Sequence, residues 1–347
     1  MTAADTAALT WPNILTSLIA RRDLSAVETG WAMRVILAGE ATPSQIAGFA
    51  VALRAKGETV DEVEGLVETM YEFAAPLRYD GRAVDIVGTG GDRSHTVNIS
   101  TMAALVIAGS GIPVVKHGNR AASSSCGSAD VLEGLGIPLD LPADRVGAIA
   151  REIGLTFCFA PVFHAALRHS AVPRRELGVA TTFNFLGPLA NPARPAAQAV
   201  GVADLRLAEI IAGVLSRRGV DGFVFRGDDG LDELTTTTTS QVWSIVGGEV
   251  WHEVLDASDL GLARAEPEEL LGGDVATNVD AVERLLAGQT GAVRDAVLLN
   301  AAAGIAAYDA RRAPLSERLG DGLRRAATSV DSGAAHAKLD DWLAATR

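Results

Sequence analysis

The chain has 347 residues, of which 48% are hydrophobic and 5% aromatic, and this is enough for two domains with small, closely packed apolar side chains. Its formal net charge of −13 argues against a nucleic-acid surface, which needs a basic stripe, and against binding to an acidic membrane face. The two cysteines make no disulfide framework, and we find neither a signal peptide nor an apolar run of about 18 residues, so we expect a cytoplasmic protein.

The first 76 residues carry the signals of four short helices. Pro12 suits the first turn of one helix, and three later segments begin with Thr or Ser followed three residues on by Glu or Gln. Such capping boxes satisfy the free backbone N–H groups at a helix start. The pairs are Ser25 with Glu28, Thr42 with Gln45, and Thr59 with Glu62. Four helices of this length bury little apolar surface alone, so we predict that they pack on the rest of the chain.

From residue 83 onward, strand and helix patterns alternate. Apolar strands are predicted at 83–87, 112–115, 155–159, 198–202 and 222–225, with helices at 143–153 and 205–217. A hairpin follows at 242–246 and 249–254 across Gly247 and Gly248, and the remainder is mostly helical, most clearly at 292–308. We therefore predict an α/β fold with a central, mainly parallel sheet. Residues 1–78, joined by part of 161–192, form a helical N-terminal module, and residues 79–347 form the larger α/β domain.

A glycine-rich turn, Gly-Thr-Gly-Gly-Asp at residues 88–92, ends the first predicted strand. Glycines tolerate positive φ and leave backbone N–H groups open to a bound anion, and ligands of α/β sheets collect beyond the carboxyl ends of the strands. Arg93 stands where the dinucleotide fingerprint has its third glycine, and no Gly-Lys-Ser/Thr of a Walker loop follows. Alone, such a cluster is equally consistent with a tight turn that binds nothing.

A second turn, Lys-His-Gly-Asn-Arg at residues 116–120, ends the next predicted strand and precedes a run of serines. Lys116 and Arg120 supply positive charge beside hydroxyl groups, a combination that suits phosphate. The alternative is a solvated loop before a helix that Ser128 caps, and we expect Ser128 to act as that cap in either case.

The neighbouring acids Asp232 and Glu233 are a candidate site for a hard cation. On a regular strand they would point to opposite faces, but on a bent loop both carboxylates can turn to one place and bind Mg²⁺. Alone, an Asp-Glu pair is far more often an exposed turn. Five threonines follow, at residues 235–239.

These motifs in this order resemble the anthranilate phosphoribosyltransferase family. The resemblance is carried by GTGGD, NIST, KHGNRAASS and SADVLEGLG, and it continues through FAPVFHAALRH, VPRRELGVATTFNFLGPLANP and GLDEL. It implies the nucleoside phosphorylase/phosphoribosyltransferase class of fold and transfer of a phosphoribosyl group from phosphoribosyl pyrophosphate (PRPP) to anthranilate, the second step of tryptophan biosynthesis from chorismate. The threonine run departs from the usual family sequence.

The resemblance also assigns residues to the two substrates and the metal. For PRPP it implies Gly88, Thr89, Gly90, Gly91, Asp92, Thr96, Asn98, Ile99, Ser100, Thr101, Lys116, Asn119, Arg120, Ala121, Ala122, Ser123, Ser124 and Ser128. For anthranilate it implies Gly88, His117, Asn119, His164 and Arg174. For Mg²⁺, with two ions per subunit, it implies Ser100, Asp232 and Glu233. It further implies a homodimer formed through the helical module.

Three other readings compete with this one. A nucleoside phosphorylase of the same fold would carry a Lys-His-Ser phosphate motif where this chain has GTGGD. PRPP-binding enzymes of a different fold place two acids directly before a Thr-Gly-Gly loop, whereas Asp85 stands alone here. A non-enzymatic paralogue binding nucleic acid or a partner protein is disfavoured by the acidic balance.

Overall fold

In the computed structural model, which describes residues 9–121 and 125–347, seven strands form one sheet in the order β3-β2-β1-β4-β5-β6-β7. The strands are β1 (Val84–Gly88), β2 (Val114–Gly118), β3 (Leu155–Phe159), β4 (Ala197–Gly201), β5 (Asp221–Gly227), β6 (Thr239–Val246) and β7 (Glu249–Asp256). The first five are parallel, and β6 and β7 add an antiparallel hairpin at one edge. The prediction of a mainly parallel sheet is confirmed.

The helices fall into an N-terminal group, which precedes the first strand, and a second group, which lies between the strands in sequence or follows the last strand. The first group is α1 (Trp11–Ile19), α2 (Ala26–Leu37), α3 (Pro43–Lys56) and α4 (Val60–Phe73). The second is α5 (Ile99–Gly109), α6 (Ser128–Gly134), α7 (Ala143–Ile153), α8 (Ala160–Phe163), α9 (Arg168–Leu177), α10 (Leu205–Arg217), α11 (Val275–Leu286), α12 (Ala292–Asp309), α13 (Leu315–Asp331) and α14 (Ala334–Ala345). No helix in the described part of the chain is long and apolar enough to cross a bilayer.

Alternation along β4 and β5 places their apolar side chains in two different cores on the two faces of the sheet. Ala199, Phe223 and Phe225 face a core shared with α5, α12 and α13, whereas Val200 and Val224 face a core shared with α10 and the N-terminal helices. Successive strand residues point to opposite faces, so a sheet covered on both sides reads as a continuous apolar run. The helical module therefore completes the covering of one sheet face.

The predicted capping boxes form, whereas the predicted Ser128 cap is wrong. Thr59, for example, accepts the Glu62 N–H at 3.3 Å, and the Glu62 carboxylate accepts the Thr59 N–H at 2.8 Å. Ser128 is instead the first residue of α6, because Gly127 is the N-cap. The Asp130 carboxylate accepts the Gly127 N–H at 2.8 Å, so a side chain inside the first turn satisfies a group that a capping serine cannot reach.

Part of the segment 161–192 packs against the helical module. This segment contains α8, α9 and short 3₁₀ turns, and α9 packs against α2 and α3. Tyr71 of α4 donates its hydroxyl to the Leu189 carbonyl at 2.8 Å, and Arg54 of α3 pairs with Asp204, the N-cap of α10, at 2.7 Å. These contacts fix the module over the carboxyl ends of the strands.

Candidate active site

A cavity of about 980 Å³ lies beyond the carboxyl ends of β1, β2 and β4, between the helical module and the α/β body. It holds most of the predicted site residues. They are Gly88, Thr89, Gly90, Gly91, Asp92, Thr96, Asn98, Ile99, Ser100, Lys116, His117, Asn119, Arg120, Ala121, Ser128, His164, Arg174, Asp232 and Glu233. Thr101 does not line the cavity and is buried within α5. Ala122, Ser123 and Ser124 lie outside the described residues.

The glycine turn after β1 is shaped to admit the acidic loop. A Cβ on Gly88 would lie 2.3 Å from an Asp232 carboxylate oxygen, so only glycine allows this approach. Gly90 has φ of +71° and donates its N–H to Asp232 Oδ2 at 2.7 Å. Thr89 is held on β4, because its N–H donates to the Gly201 carbonyl at 2.9 Å. One of the amides that the sequence assigns to an anion therefore faces a protein carboxylate in this structure.

Asp232 and Glu233 lie at the floor of the cavity and are only 9% and 8% exposed. Burial, and then the charge of nearby Asp92, raises the pKa of Asp232 to about 7. Burial, and then the charge of Asp232, raises the pKa of Glu233 well above its usual value. Two buried carboxylates without a full set of positive partners are costly when ionised. A bound cation would relieve that cost.

The acid pair fits Mg²⁺ as a partial ligand set. No group of three or more His, Cys, Asp or Glu side chains suited to a metal occurs within residues 9–121 and 125–347. Mg²⁺ is commonly held by one or two carboxylates, with water and substrate phosphates completing its octahedral shell. Two carboxylates opening onto a large cavity match that pattern better than a closed structural site does.

The sheet opens between β1 and β2 at the edge of this cavity. β1 pairs with β4 at five positions, but β1 pairs with β2 only at Val84 and Val114. Two buried side chains satisfy backbone groups beyond that point. Asp85 accepts the His117 N–H at 3.1 Å, and Lys116 donates to the Ile86 carbonyl and to Ser100 Oγ. The separation of the strands makes room at the site, while Asp85 and Lys116 satisfy the backbone N–H of His117 and the carbonyl of Ile86.

These two charges also shape the local electrostatics. Burial lowers the pKa of Lys116, against the opposing charges of Asp85, Glu233 and Asp232. Burial raises the pKa of Asp85 to about 6, against the charge of Lys116, and Asn191 donates to its carboxylate at 2.8 Å. Lys116 is only 2% exposed, so its ammonium acts from beneath the cavity surface.

Two histidines form a neutral, apolar wall of the cavity. Burial, and then the charge of His164, lowers the pKa of His117 to about 3. Neutral His117 donates from Nδ1 to the Gly187 carbonyl at 2.9 Å, because a carbonyl only accepts. Its Nε2 is then an acceptor, and no described residue bonds to it. His164 donates from Nε2 to the Ala190 carbonyl at 2.7 Å, and the two rings meet edge to face with centroids 5.3 Å apart.

The neighbouring arginines Arg174 and Arg175 differ in burial. Both line the cavity, but Arg174 is half-buried and Arg175 is exposed. The Arg174 guanidinium lies 5.6 Å from the centre of the Phe183 ring and pairs with no carboxylate of the described chain. Burial lowers its pKa. A half-buried guanidinium without an acid partner is suited to receive a ligand carboxylate.

The second predicted phosphate turn is held differently from the first. Arg120 donates to Glu133 through both terminal nitrogens and to Asp130, and it lies over the Phe159 ring. Its charge is thus already balanced by α6. Asn98 donates from Nδ2 to the Cys126 carbonyl at 3.1 Å, while its buried Oδ1 has no bond within the described residues.

The threonine run has a structural explanation that sequence reasoning lacked. Thr235 and Thr237 donate their hydroxyls to one Asp229 carboxylate oxygen, the first at 2.7 Å. Thr239 donates to Asp228 in the same way. Short hydroxyl side chains tie the loop after β5 to two acids at its base and so fix the turn that follows Asp232 and Glu233.

Two further features were missed because they depend on distant segments. Gly201 of β4 has no signal in the sequence, yet a Cβ there would lie 1.6 Å from the Asp232 carbonyl oxygen. The loop before α5 is anchored by residues before α11, since Val97 donates to the Leu270 carbonyl and Gly272 to the His95 carbonyl, both at 2.9 Å. Neither contact follows from spacing along the chain.

Comparison with family models gives matches over nearly the whole chain. Residues 80–336 match the model described as glycosyl transferase family, a/b domain, and residues 12–74 match that of the helical bundle domain of the same family. The protein named anthranilate phosphoribosyltransferase of a Nocardioides species is 64% identical over 337 residues, covering 97% of this chain and 99% of that protein. The protein of the same name from an Arthrobacter species is 59% identical and covers 99% of this chain and 98% of its own.

Solved structures of proteins with the same name are also similar to this chain. Anthranilate phosphoribosyltransferase from Thermus thermophilus superimposes with a TM-score of 0.90 at 41% identity, covering 96% of this chain and 99% of that one. The Saccharomyces cerevisiae enzyme of the same name, in complex with PRPP and Mg, gives a TM-score of 0.88 and covers 99% of this chain and 98% of its own. At 24% identity the latter likeness shows the fold alone.

Proposed function

Because this chain belongs to the anthranilate phosphoribosyltransferase family, we propose that it transfers the 5-phosphoribosyl group of PRPP to the amine of anthranilate. The products are N-(5-phosphoribosyl)anthranilate and pyrophosphate, in the second step of tryptophan biosynthesis from chorismate. The observation that carries the proposal is one cavity in which a glycine turn, two buried acids and an unpaired half-buried guanidinium meet.

The reaction places its main demand on electrostatics. Pyrophosphate leaves the anomeric carbon as the ribosyl ring gains oxocarbenium character, so charge develops at two places. The amine of anthranilate is neutral at pH 7 and can attack without a strong base. Stabilisation of charge and positioning of the reactants are therefore what the protein must supply. A deep cavity walled by backbone amides and fixed charges is suited to both.

The glycine turn, Asn98, Ser100 and the turn at Asn119 are proposed to hold PRPP. The amide of Gly91, which donates to no backbone carbonyl of the described residues, and the N-terminus of α5 can face the pyrophosphate, since helix N-termini favour anions. Arg120, which α6 already neutralises, can reach a phosphate only by giving up part of its contact with Glu133. Lys116 contributes its charge from below.

Asp232, Glu233 and Ser100 are proposed to hold Mg²⁺, with two ions per subunit. Bound Mg²⁺ would neutralise the leaving pyrophosphate. The raised pKa values of both acids support this role, because a cation is what allows both to ionise together. Asp232 is kept in place by the Gly90 N–H, which donates to one of its two carboxylate oxygens.

Anthranilate is proposed to bind between Arg174 and the histidine wall. The Arg174 fork can take the carboxylate, and Asn119 can bind the amine or the carboxylate. The ring fits beside His117 and His164, whose neutral state keeps this wall compatible with an aromatic face.

The assembly is proposed to be a homodimer through the helical module, in the cytoplasm. Ile19, Val27 and Val51 of that module are 77%, 53% and 42% exposed, which leaves apolar area for a partner copy. Light scattering at micromolar concentration tests the dimer, and a monomer there would contradict it. Cys126 and Cys158 are buried and form no disulfide within the described residues, which supports a reducing compartment.

The decisive assay follows the loss of anthranilate fluorescence with PRPP and Mg²⁺, repeated with EDTA. We expect turnover that EDTA stops and that the double variant Asp232→Asn/Glu233→Gln lacks while keeping its fold. Phosphorolysis of thymidine or uridine without phosphoribosyl transfer would favour the phosphorylase alternative. Near wild-type rates of the double variant in Mg²⁺ would remove the metal role.

A further inference from the structure

A buried asparagine of α12 is bonded to the backbone immediately after the acid pair. Asn300 is 0% exposed, and its Oδ1 accepts the Leu234 N–H at 2.9 Å while its Nδ2 donates to the Leu234 carbonyl at 2.9 Å. The same Nδ2 also donates to the Ala296 carbonyl at 2.9 Å. One side chain therefore engages both backbone groups of the residue next to Glu233, 66 positions away in the chain.

This arrangement is unusual for its surroundings, because the other buried residues of α12 are apolar. Its buried residues on either side of Asn300 include Leu299 and Ala301. An amide in such a place is unfavourable unless its donors and acceptor are satisfied. In a sheet, the backbone of a neighbouring strand would bond to the N–H and the carbonyl of Leu234. Here the Asn300 side chain of the helix makes both bonds instead.

The opposite flank of the loop is restrained as well. Ser240, which is fully buried, accepts the Thr235 N–H on its Oγ at 3.1 Å. The Asp232 carbonyl lies against Gly201, where a Cβ would be only 1.6 Å away. The acid pair is thus located by its backbone, between a glycine of β4 and the side chains of Asn300 and Ser240.

We infer that Asn300 is a positioning residue that fixes the Asp232–Glu233 backbone and thereby sets the affinity of the site for a divalent ion. The inference rests on the proposed metal role of the acid pair. Asn300 does not line the cavity, so it acts through the loop alone. Partners that orient the ligands of a metal commonly change affinity by about 10- to 100-fold when removed.

The test measures metal binding directly in the full-length protein, with Mn²⁺ titrated in the presence of PRPP and free Mn²⁺ followed by electron paramagnetic resonance. Asn300→Leu keeps the volume roughly and removes both bonds to Leu234. We expect it to bind Mn²⁺ about tenfold more weakly, with kcat at saturating metal within about twofold of wild type. Ser329→Ala is the matched control, because Ser329 is buried, donates to the Val106 carbonyl at 2.8 Å and lies outside the cavity.

Equal Mn²⁺ affinities of Asn300→Leu and Ser329→Ala would overturn the inference. A purely structural loss would lower the melting temperature in both variants without separating their metal affinities. If Asn300→Leu does not fold, Ser240→Ala takes its place, since it frees only the Thr235 N–H. Weaker Mn²⁺ binding by Ser240→Ala then supports the inference, and wild-type binding contradicts it.

The double variant Asp232→Asn/Glu233→Gln separates the positioning role of Asn300 from the metal role of the acid pair. Wild-type Mn²⁺ binding by that variant refutes the metal role itself, whereas its loss beside normal binding by Asn300→Leu refutes only the positioning role.

Discussion

The backbone N–H of Gly90 donates to the Asp232 carboxylate at 2.7 Å and so joins the turn after β1 to the loop after β5. The two residues are 142 positions apart, and each belongs to a motif whose sequence alone is ambiguous. Their bond makes the glycine turn and the acid pair one unit. A change at the turn should therefore disturb the acids, and a change of the acids should disturb the turn.

The first prediction concerns the glycines that admit the acidic loop. Gly201→Ala would place a Cβ 1.6 Å from the Asp232 carbonyl oxygen, which is backbone and cannot rotate away. Gly88→Ala meets the Asp232 side chain at 2.3 Å, which has more freedom. We expect kcat/KM to fall about 100-fold for Gly201→Ala and less for Gly88→Ala, because misplacement by about 1 Å costs that much.

Gly187→Ala is the control for this comparison. Gly187 lines the same cavity, but a Cβ there would meet no atom within 4 Å. In steady-state kinetics with both substrates, we expect kcat/KM of Gly187→Ala to stay near the wild-type value. If Gly201→Ala were as active as Gly187→Ala, the close approach of the acidic loop would not matter for turnover.

The second prediction separates the two neighbouring arginines. Arg174→Ala should lower kcat/KM for anthranilate by about 10- to 150-fold, because a charged hydrogen-bonding fork to a carboxylate contributes about 1.5–3 kcal/mol. Arg175→Ala, at the exposed neighbour, should change it little. Kinetics at varied anthranilate and saturating PRPP provide the measurement, and unchanged anthranilate kinetics in Arg174→Ala would refute the assignment.

The third prediction is a pH dependence of stability. Burial lowers the pKa of His117 to about 3, below its ordinary 6.5, so the folded protein binds this proton less readily than the unfolded chain does. The stability that the neutral imidazole contributes is fully present above about pH 6.5 and is lost as the pH falls toward 3. Between about pH 7.5 and pH 5 the loss should be about 2 kcal/mol.

The free energy of unfolding, measured with denaturant at those two pH values, is compared between wild type and His117→Asn. The asparagine amide of this variant can still donate to the Gly187 carbonyl. The variant should lose less stability on acidification than wild type. Substitution of the exposed His336 by Asn should leave the wild-type difference intact. If wild type and His117→Asn lost the same stability on acidification, protonation of His117 would not destabilise the fold, and the prediction would be wrong.

The fourth prediction concerns the threonine run. Thr235→Val removes the hydroxyl that donates to Asp229 and accepts the Thr237 N–H, and we expect about 1–2 kcal/mol loss in the free energy of unfolding. Thr238→Val is the neighbouring control, since no hydrogen bond of the Thr238 side chain occurs in the described part of the chain, and it should stay within about 0.5 kcal/mol. Comparable values for both variants would contradict the account of the run as an acid-anchored turn.

Much of the fold could be predicted because it depends on local chemistry. The pairs Ser25 with Glu28 and Thr59 with Glu62 mark helix starts wherever they occur, since the bonds they make lie within one turn. The glycines at 247 and 248 adopt the positive φ that a two-residue hairpin needs. Ser128 failed as a cap because the helix includes it as its first residue and Gly127 takes the N-cap position, with its N–H bonded to Asp130, and the sequence does not tell at which of these two neighbours the helix begins.

In the candidate site too, the features that could be predicted are local ones, and the features that could not are contacts between distant segments. The sequence by itself determined which segments carry glycines, acids and cations, because those residue types restrict backbone conformation and charge wherever they are placed. Only the tertiary structure decided that β1 and β2 separate beyond Val84, that Gly201 admits Asp232, and that Arg120 is already paired. Those outcomes depend on distances between segments that are far apart in the chain, and such distances are set by packing of the whole core.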